Sequence, residues 1–186
     1  MIASFAFVFG LLSLASALPL DKRIVPTSQC TTIATGFLKT TNGHKLNLDA
    51  SNKLSYSASG LEVDVQNCQP NFGRYDGTNG TPTEGHLVVK STGKCLSLQT
   101  PYSGPPFTVT VDDCYYVDDS GSTFSNFIRQ SDGTILFAGN TQEDGSYHFF
   151  QNQCAAGTYG VSGTATSGIA TLQCSTDANI VALKLF

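Results

Sequence analysis

Apolar and polar residues alternate in short runs along most of the chain. Val63 to Cys68 (VDVQNC), Val109 to Cys114 (VTVDDC) and Tyr147 to Cys154 (YHFFQNQC) each run up to a cysteine. A second series lies upstream: His44 to Asp49 (HKLNLD), Lys94 to Gln99 (KCLSLQ) and Thr134 to Phe137 (TILF). A third begins each unit: Gly36 to Lys39, Gly85 to Lys90 and Phe124 to Arg129. The tail adds Ile169 to Cys174 and Ile180 to Phe186. Period-two runs rich in Val, Ile, Leu, Phe and Thr predict strands, because alternate side chains point to opposite faces. Turn residues separate them: Asn42-Gly43, Thr92-Gly93, Asp132-Gly133 and Asp144-Gly145. Such pairs favour tight hairpins. The run from Ser120 to Arg129 is the best helix candidate, but its glycine and β-branched residues are misplaced for one. The pattern predicts an all-β domain of roughly ten to twelve strands.

The pieces recur three times at intervals of about 40 to 49 residues. No unit of that size buries its apolar face alone. Three together can close a pseudo-threefold barrel, with a two-sheet sandwich as the rival architecture.

Composition narrows the function classes. The chain has 186 residues, a formal charge of -4 and only 13% charged residues. An acidic chain lacks the basic stripe that nucleic acid requires. Residues 2–17 are apolar and end in Ala15-Ser16-Ala17, the pattern of a secretory signal peptide, residues 1–17. Residues 18–23 end in the dibasic Lys22-Arg23, which resembles a fungal-type processing site, so the expected mature domain is 24–186. Past the signal no apolar run is long enough to span a bilayer. All six cysteines fall in the mature part, and an even number in a secreted chain reads as disulfides. No cysteine pair has zinc-ligand spacing, so neither a metal nor a cofactor is expected. Asn79 heads the sequon Asn79-Gly80-Thr81 and is the expected glycan acceptor.

At this level the repeats resemble the ricin-type β-trefoil family. The closest stretch is Gly93 to Gln99 (GKCLSLQ) followed by Thr108 to Cys114 (TVTVDDC). Asp132 to Ile135 (DGTI) resembles that family's opening turn, and Ala182 to Phe186 its closing strand. The resemblance implies a disulfide-bonded β-trefoil that binds carbohydrate without catalysis. It implies Cys95–Cys114 as one disulfide. Cys154 and Cys174 repeat nearly the same spacing, and Cys30 and Cys68 remain. The chain departs from the family in having no tryptophan. Where the family's Q-x-W tryptophan falls, the middle unit has Ser125-Asn126-Phe127 and the tail Asn179-Ile180-Val181. The family's sugar-binding aspartate is also replaced, by Ser97 in the middle unit and Phe137 in the third. In the first unit Asn47 or Asp49 stands there.

Sugar recognition needs amides or carboxylates beside an aromatic face. The first unit offers Asn47, Asp49, Gln66 and Asn67, with Tyr56 or Tyr75 as the face. The third offers Asp144, Tyr147, His148 and Asn152. The acidic turn of Asp112, Asp113, Asp118 and Asp119 lacks the order of a calcium loop. The histidines His44, His86 and His148 stand in no catalytic context; His86 and His148 fall in or beside strands, where an exposed pairing role is expected. No enzyme is expected. The sequence reading leads to a secreted lectin-like trefoil that binds a glycan or glycoprotein. The alternatives are a protein-binding module, such as a protease inhibitor acting through loop 69–84, and a host-interaction protein with no small ligand.

Overall fold

The computed structural model describes residues 27–71, 73, 75–78, 82–100, 105–117, 124–141, 147–149 and 157–186. The expected signal, the dibasic site, Arg74, Asn79, Asp118, Asp119, Asp144, Asn152 and Cys154 lie outside the described residues. Sixteen short strands and no helix occur among the described residues.

The first unit holds β1 (Gln29–Thr40), β2 (Leu46–Leu48), β3 (Leu54–Tyr56) and β4 (Leu61–Gln69). The second holds β5 (Thr83–Gly85) and β6 (Leu87–Val89), one extended segment interrupted at His86, then β7 (Lys94–Leu98), β8 (Phe107–Asp112) and β9 (Phe127–Arg129). The third holds β10 (Thr134–Phe137), β11 (Gly139–Thr141), β12 (Tyr147–Phe149), β13 (Thr158–Ser162), β14 (Thr171–Ser175), β15 (Ile180–Val181) and β16 (Leu183–Leu185).

The pairing is threefold. Within units, β1 pairs with β4, β5 with β9 and β10 with β16, all antiparallel. Between units, β4 pairs with β6, β9 with β10 and β16 with β1. The ring is therefore closed and leaves no barrel edge unpaired. Hairpins β2–β3, β7–β8 and β13–β14 cap one end. They are tied together by β8–β14 pairing and by the bridge Ser55–Ile169. This is the expected β-trefoil.

Alternation explains the core. In β4, Leu61, Val63 and Val65 are buried while Glu62 and Asp64 are half-exposed. Leu38, Leu87, Val89, Phe127, Ile135 and Leu183 join them inside the ring. Each fully buried side chain of this size contributes about 1.5–3 kcal/mol. Phe127, in the tryptophan-deficient middle unit, is 3% exposed and belongs to this core. Gly133 closes the β9–β10 turn at φ 85°, a left-handed conformation that glycine adopts without strain. Asp132 beside it accepts the Thr134 N–H at 2.9 Å.

The repeat register differs from the sequence expectation. Phe124–Arg129 does not open the third unit; β9 closes the second, opposite Thr83–Gly85, and the third opens at Thr134. The cysteines do not mark equivalent places in the units: Cys68 ends the first unit's fourth strand, whereas Cys114 follows the second unit's third. Phe137 accordingly lies in the barrel, 1% exposed, and not on a hairpin like Ser97.

Two expected disulfides are present. Cys30–Cys68 links directly paired residues of β1 and β4, and Cys95–Cys114 closes the β7–β8 hairpin. Cys174 is disulfide-bonded as well, and its expected partner, Cys154, lies outside the described residues.

Candidate functional site

The first-unit residues expected to bind sugar occupy two separate places. Asn47 and Asp49 sit on and just after β2. Asn47 donates from Nδ2 to Ser59 Oγ at 2.9 Å, and its Oδ1 accepts the Leu48 N–H at 2.8 Å. Asp49 Oδ1 accepts the N–H groups of Ser51 at 2.8 Å and Lys53 at 2.9 Å. The Lys53 N–H leads the interactions that hold the Asp49 carboxyl below its ordinary value. The Asp49 side chain shapes its own hairpin turn, in which Asn52 takes φ 59°. Tyr56 offers no open face: it is 8% exposed and its hydroxyl donates to the Ser162 carbonyl.

Gln66 and Asn67 stand on β4 beside loop 69–84. Asn67 donates to the Asp76 carbonyl at 3.1 Å and accepts from Gln69 Nε2 at 3.1 Å. Gln66 Oε1 is buried without a hydrogen-bond partner. Among the described residues no hydrogen bond joins either residue to Asn47 or Asp49. In the third unit, β12 carries Tyr147 opposite Thr141 and His148 opposite Asn140. In the acidic turn, Asp113 pairs with Lys94 at 3.1 Å.

The structure instead gathers a buried polar cluster at the base of loop 69–84. Its members are Asn71, Glu84, His86, Ser125 and Asn126, each at most 4% exposed. Glu84 Oε2 accepts the Gly73 N–H at 2.7 Å, and Oε1 accepts from Asn126 Nδ2 at 3.2 Å. Asn71 accepts the Tyr75 N–H at 3.0 Å and donates to the carbonyls of Cys68 at 2.9 Å and Tyr75 at 2.8 Å. The Glu84 N–H returns to the Tyr75 carbonyl at 3.1 Å. Farther out, Asp76 bridges to Thr83, and the Gly77 N–H meets the Pro82 carbonyl at 3.1 Å. A buried carboxylate is tolerated only when hydrogen-bonded, and here its partners include the Gly73 N–H of the loop it organises and the Asn126 amide.

His86 corrects the expectation of an exposed pairing residue. It is 2% exposed, with Nδ1 3.0 Å from the Ser125 carbonyl and its ring edge-on to Tyr116 at 5.2 Å. Burial pushes its pKa below the ordinary 6.5, against opposing hydrogen bonds to the backbone of Ser125 and Tyr115. Ligand atoms of His86, Cys30 and Cys68 lie within 4.8 Å of one another. Both sulfurs are joined in a disulfide, so they are not thiolates able to bind a metal. The sequence signal for this cluster was the polar alternation Glu84, His86 ahead of Leu87–Val89, which reads as a solvent face. The loops that cover it are long-range contacts that no local pattern encodes.

No protein-family model matches the chain, and no curated protein matches it. The resemblance to the ricin-type family thus rests on the quoted residues alone. Solved structures are similar. A point mutant of Gallus interleukin-1 beta is 15% identical, covers 85% of this chain and 98% of its own, and superposes with a TM-score of 0.55. The chicken cytokine interleukin-1 beta is also 15% identical over 85% of this chain and 98% of its own, with a TM-score of 0.54. At this identity the likeness shows the β-trefoil fold alone. No described helix is long and apolar enough to cross a membrane.

Proposed function

We propose that the chain is a secreted, non-catalytic binding protein that meets a protein partner through loop 69–84. The observation that carries this reading is the Glu84 clamp on Gly73, which fixes the loop base from inside the protein. A loop whose base is fixed before binding loses less entropy on docking, so more of its contact energy appears as affinity. The disulfides support an oxidising, extracellular setting. Against an enzyme stands the use of His86, the buried histidine, as a packing and hydrogen-bonding group.

Carbohydrate binding is the second reading. It is favoured by the resemblance of the middle-unit hairpin to the ricin-type repeat. It is weakened by the hydrogen bonds Asn47 makes with Ser59 and Leu48 and by those Asp49 Oδ1 accepts within its own turn.

One experiment separates the two. The disulfide-bonded chain is tested for inhibition of a panel of extracellular proteases and on a glycan array. A second form has residues 77–82 replaced by a Gly-Ser linker. The proposal expects sugar-insensitive inhibition that the replacement abolishes. Sugar-competable array binding that survives the replacement would overturn it in favour of the lectin reading.

A further inference from the structure

Thr83 and Arg129 oppose each other directly across β5 and β9, and the same row continues from Arg129 to Ile135 on β10. Directly paired residues point to one face, with Cβ atoms about 5 Å apart. Ile135 is 1% exposed and belongs to the core, so this is the inner face of the barrel. Arg129 ends β9 and Thr83 begins β5, which places both at the mouth opposite the capping hairpins.

Arg129 Nε and Thr83 Oγ1 are both buried there without a hydrogen-bond partner. Buried donors are almost always satisfied, and two unsatisfied ones on neighbouring side chains mark a place that lacks its acceptor. The other described cations are occupied. Lys39 lies over the Phe186 ring at 4.7 Å, Lys45 donates to the Ala58 carbonyl, Lys90 pairs with Glu62 and Lys94 with Asp113. Lys53 and Lys184 act on the carboxylates of Asp49 and Asp132. Among the described residues, no ion pair or hydrogen bond is made by the Arg129 side chain.

We infer that Thr83 and Arg129 form a carboxylate-binding notch at this mouth of the barrel. The guanidinium presents parallel N–H donors that match the two oxygens of a carboxylate. The threonine hydroxyl adds a third donor from the facing strand. The ring closure of the barrel fixes both strands, so the donors are held in place before the ligand arrives. Thr83 closes loop 69–84, but the notch depends only on these two side chains and does not require that the loop meet a protein.

The test is nuclear magnetic resonance of the arginine Nε–H signals on the full disulfide-bonded chain. Arg129 is identified by the signal missing in Arg129→Lys. Acetate is the first probe, with chloride as the control anion. The expected result is a shift of the Arg129 signal that saturates below about 100 mM acetate and is not reproduced by chloride. Thr83→Val keeps the strand shape and removes the hydroxyl, and is expected to weaken binding about tenfold. Glucuronate and N-acetylaspartate then distinguish a sugar acid from an acidic side chain by which binds more tightly. An Arg129 signal that acetate leaves in place, that chloride moves equally, or whose acetate response is unchanged in Thr83→Val overturns the inference.

Discussion

Glu84 Oε2 and the Gly73 N–H meet at 2.7 Å with both residues buried. Glycine at 73 is a consequence of that meeting, because a Cβ there would stand 2.0 Å from the same oxygen. The carboxylate has little room to turn away, since its other oxygen holds Asn126. Gly73→Ala is therefore expected to lose about 1–3 kcal/mol of stability, through overpacking and a broken buried hydrogen bond. Glu84→Gln keeps the shape and removes the charge, with an expected loss of about 1–2 kcal/mol. Urea denaturation measures both. Hydrogen exchange should show faster exchange at Gly73 and Tyr75 in each variant. Wild-type stability in Gly73→Ala would show that the loop base is not clamped.

His86 makes stability depend on pH in a defined direction. Burial lowers its folded pKa below 6.5, the value it regains when unfolded. Between those two values the unfolded chain binds more protons, so stability rises with pH in that window. The contribution is present above about pH 6.5 and is lost as pH falls through the folded value. The groups around the ring are the Ser125 carbonyl, the Tyr115 backbone, the Tyr116 ring and the Cys30–Cys68 disulfide. Denaturation midpoints between pH 7 and 5 should fall in the wild type, and the slope should flatten in His86→Gln. An unchanged slope would assign the acid loss to other groups.

The barrel was legible because burial on one face forces period two, as Leu61 to Val65 shows in both sequence and structure. Its threefold register was less legible. Cys68 and Cys114 follow similar alternating runs, yet one ends a barrel strand and the other follows a capping strand. Glu84 and His86 were illegible for a different reason. Their alternation with Gly85 and Leu87 describes a strand with one polar face, and only tertiary contacts decide whether that face meets water. Residues 71, 73, 75, 115–116 and 125–126 cover it. The same limit applies to Asn47 and Asp49, whose residue types suit a sugar and a hairpin turn equally well.

The turn role of Asp49 can be measured. Asp49→Asn keeps an Oδ1 that can accept from Ser51 and Lys53, and is expected to melt close to wild type. Asp49→Ala removes the acceptor and should melt at a lower temperature. Because the Asp49 carboxyl is held below 3.8, its stabilisation is present above that value and is lost as pH falls through the folded pKa. Neither change should alter partner binding. A variant with normal melting but abolished binding would restore Asp49 to the ligand site.

Phe137 tests how the fold manages without tryptophan. Its ring meets three others edge-on, Phe107 at 5.7 Å, Phe127 at 6.2 Å and Tyr159 at 6.4 Å between centroids. Phe107 comes from a capping hairpin and Phe127 from the barrel, so Phe137 joins the two layers. Burial of the cluster also pushes the Tyr159 hydroxyl up to about 12. Phe137→Ala leaves a cavity at this junction and is expected to cost about 3–5 kcal/mol. Phe137→Trp adds volume where the packing is complete and should cost about 1–3 kcal/mol. Edge-to-face pairs contribute about 0.5–1.5 kcal/mol beyond burial, so a double-mutant cycle of Phe107→Leu with Phe137→Leu should show coupling of that size. Additive losses in that cycle would mean the rings act only by filling volume. A Phe137→Trp variant more stable than wild type would mean the junction has room for the larger ring.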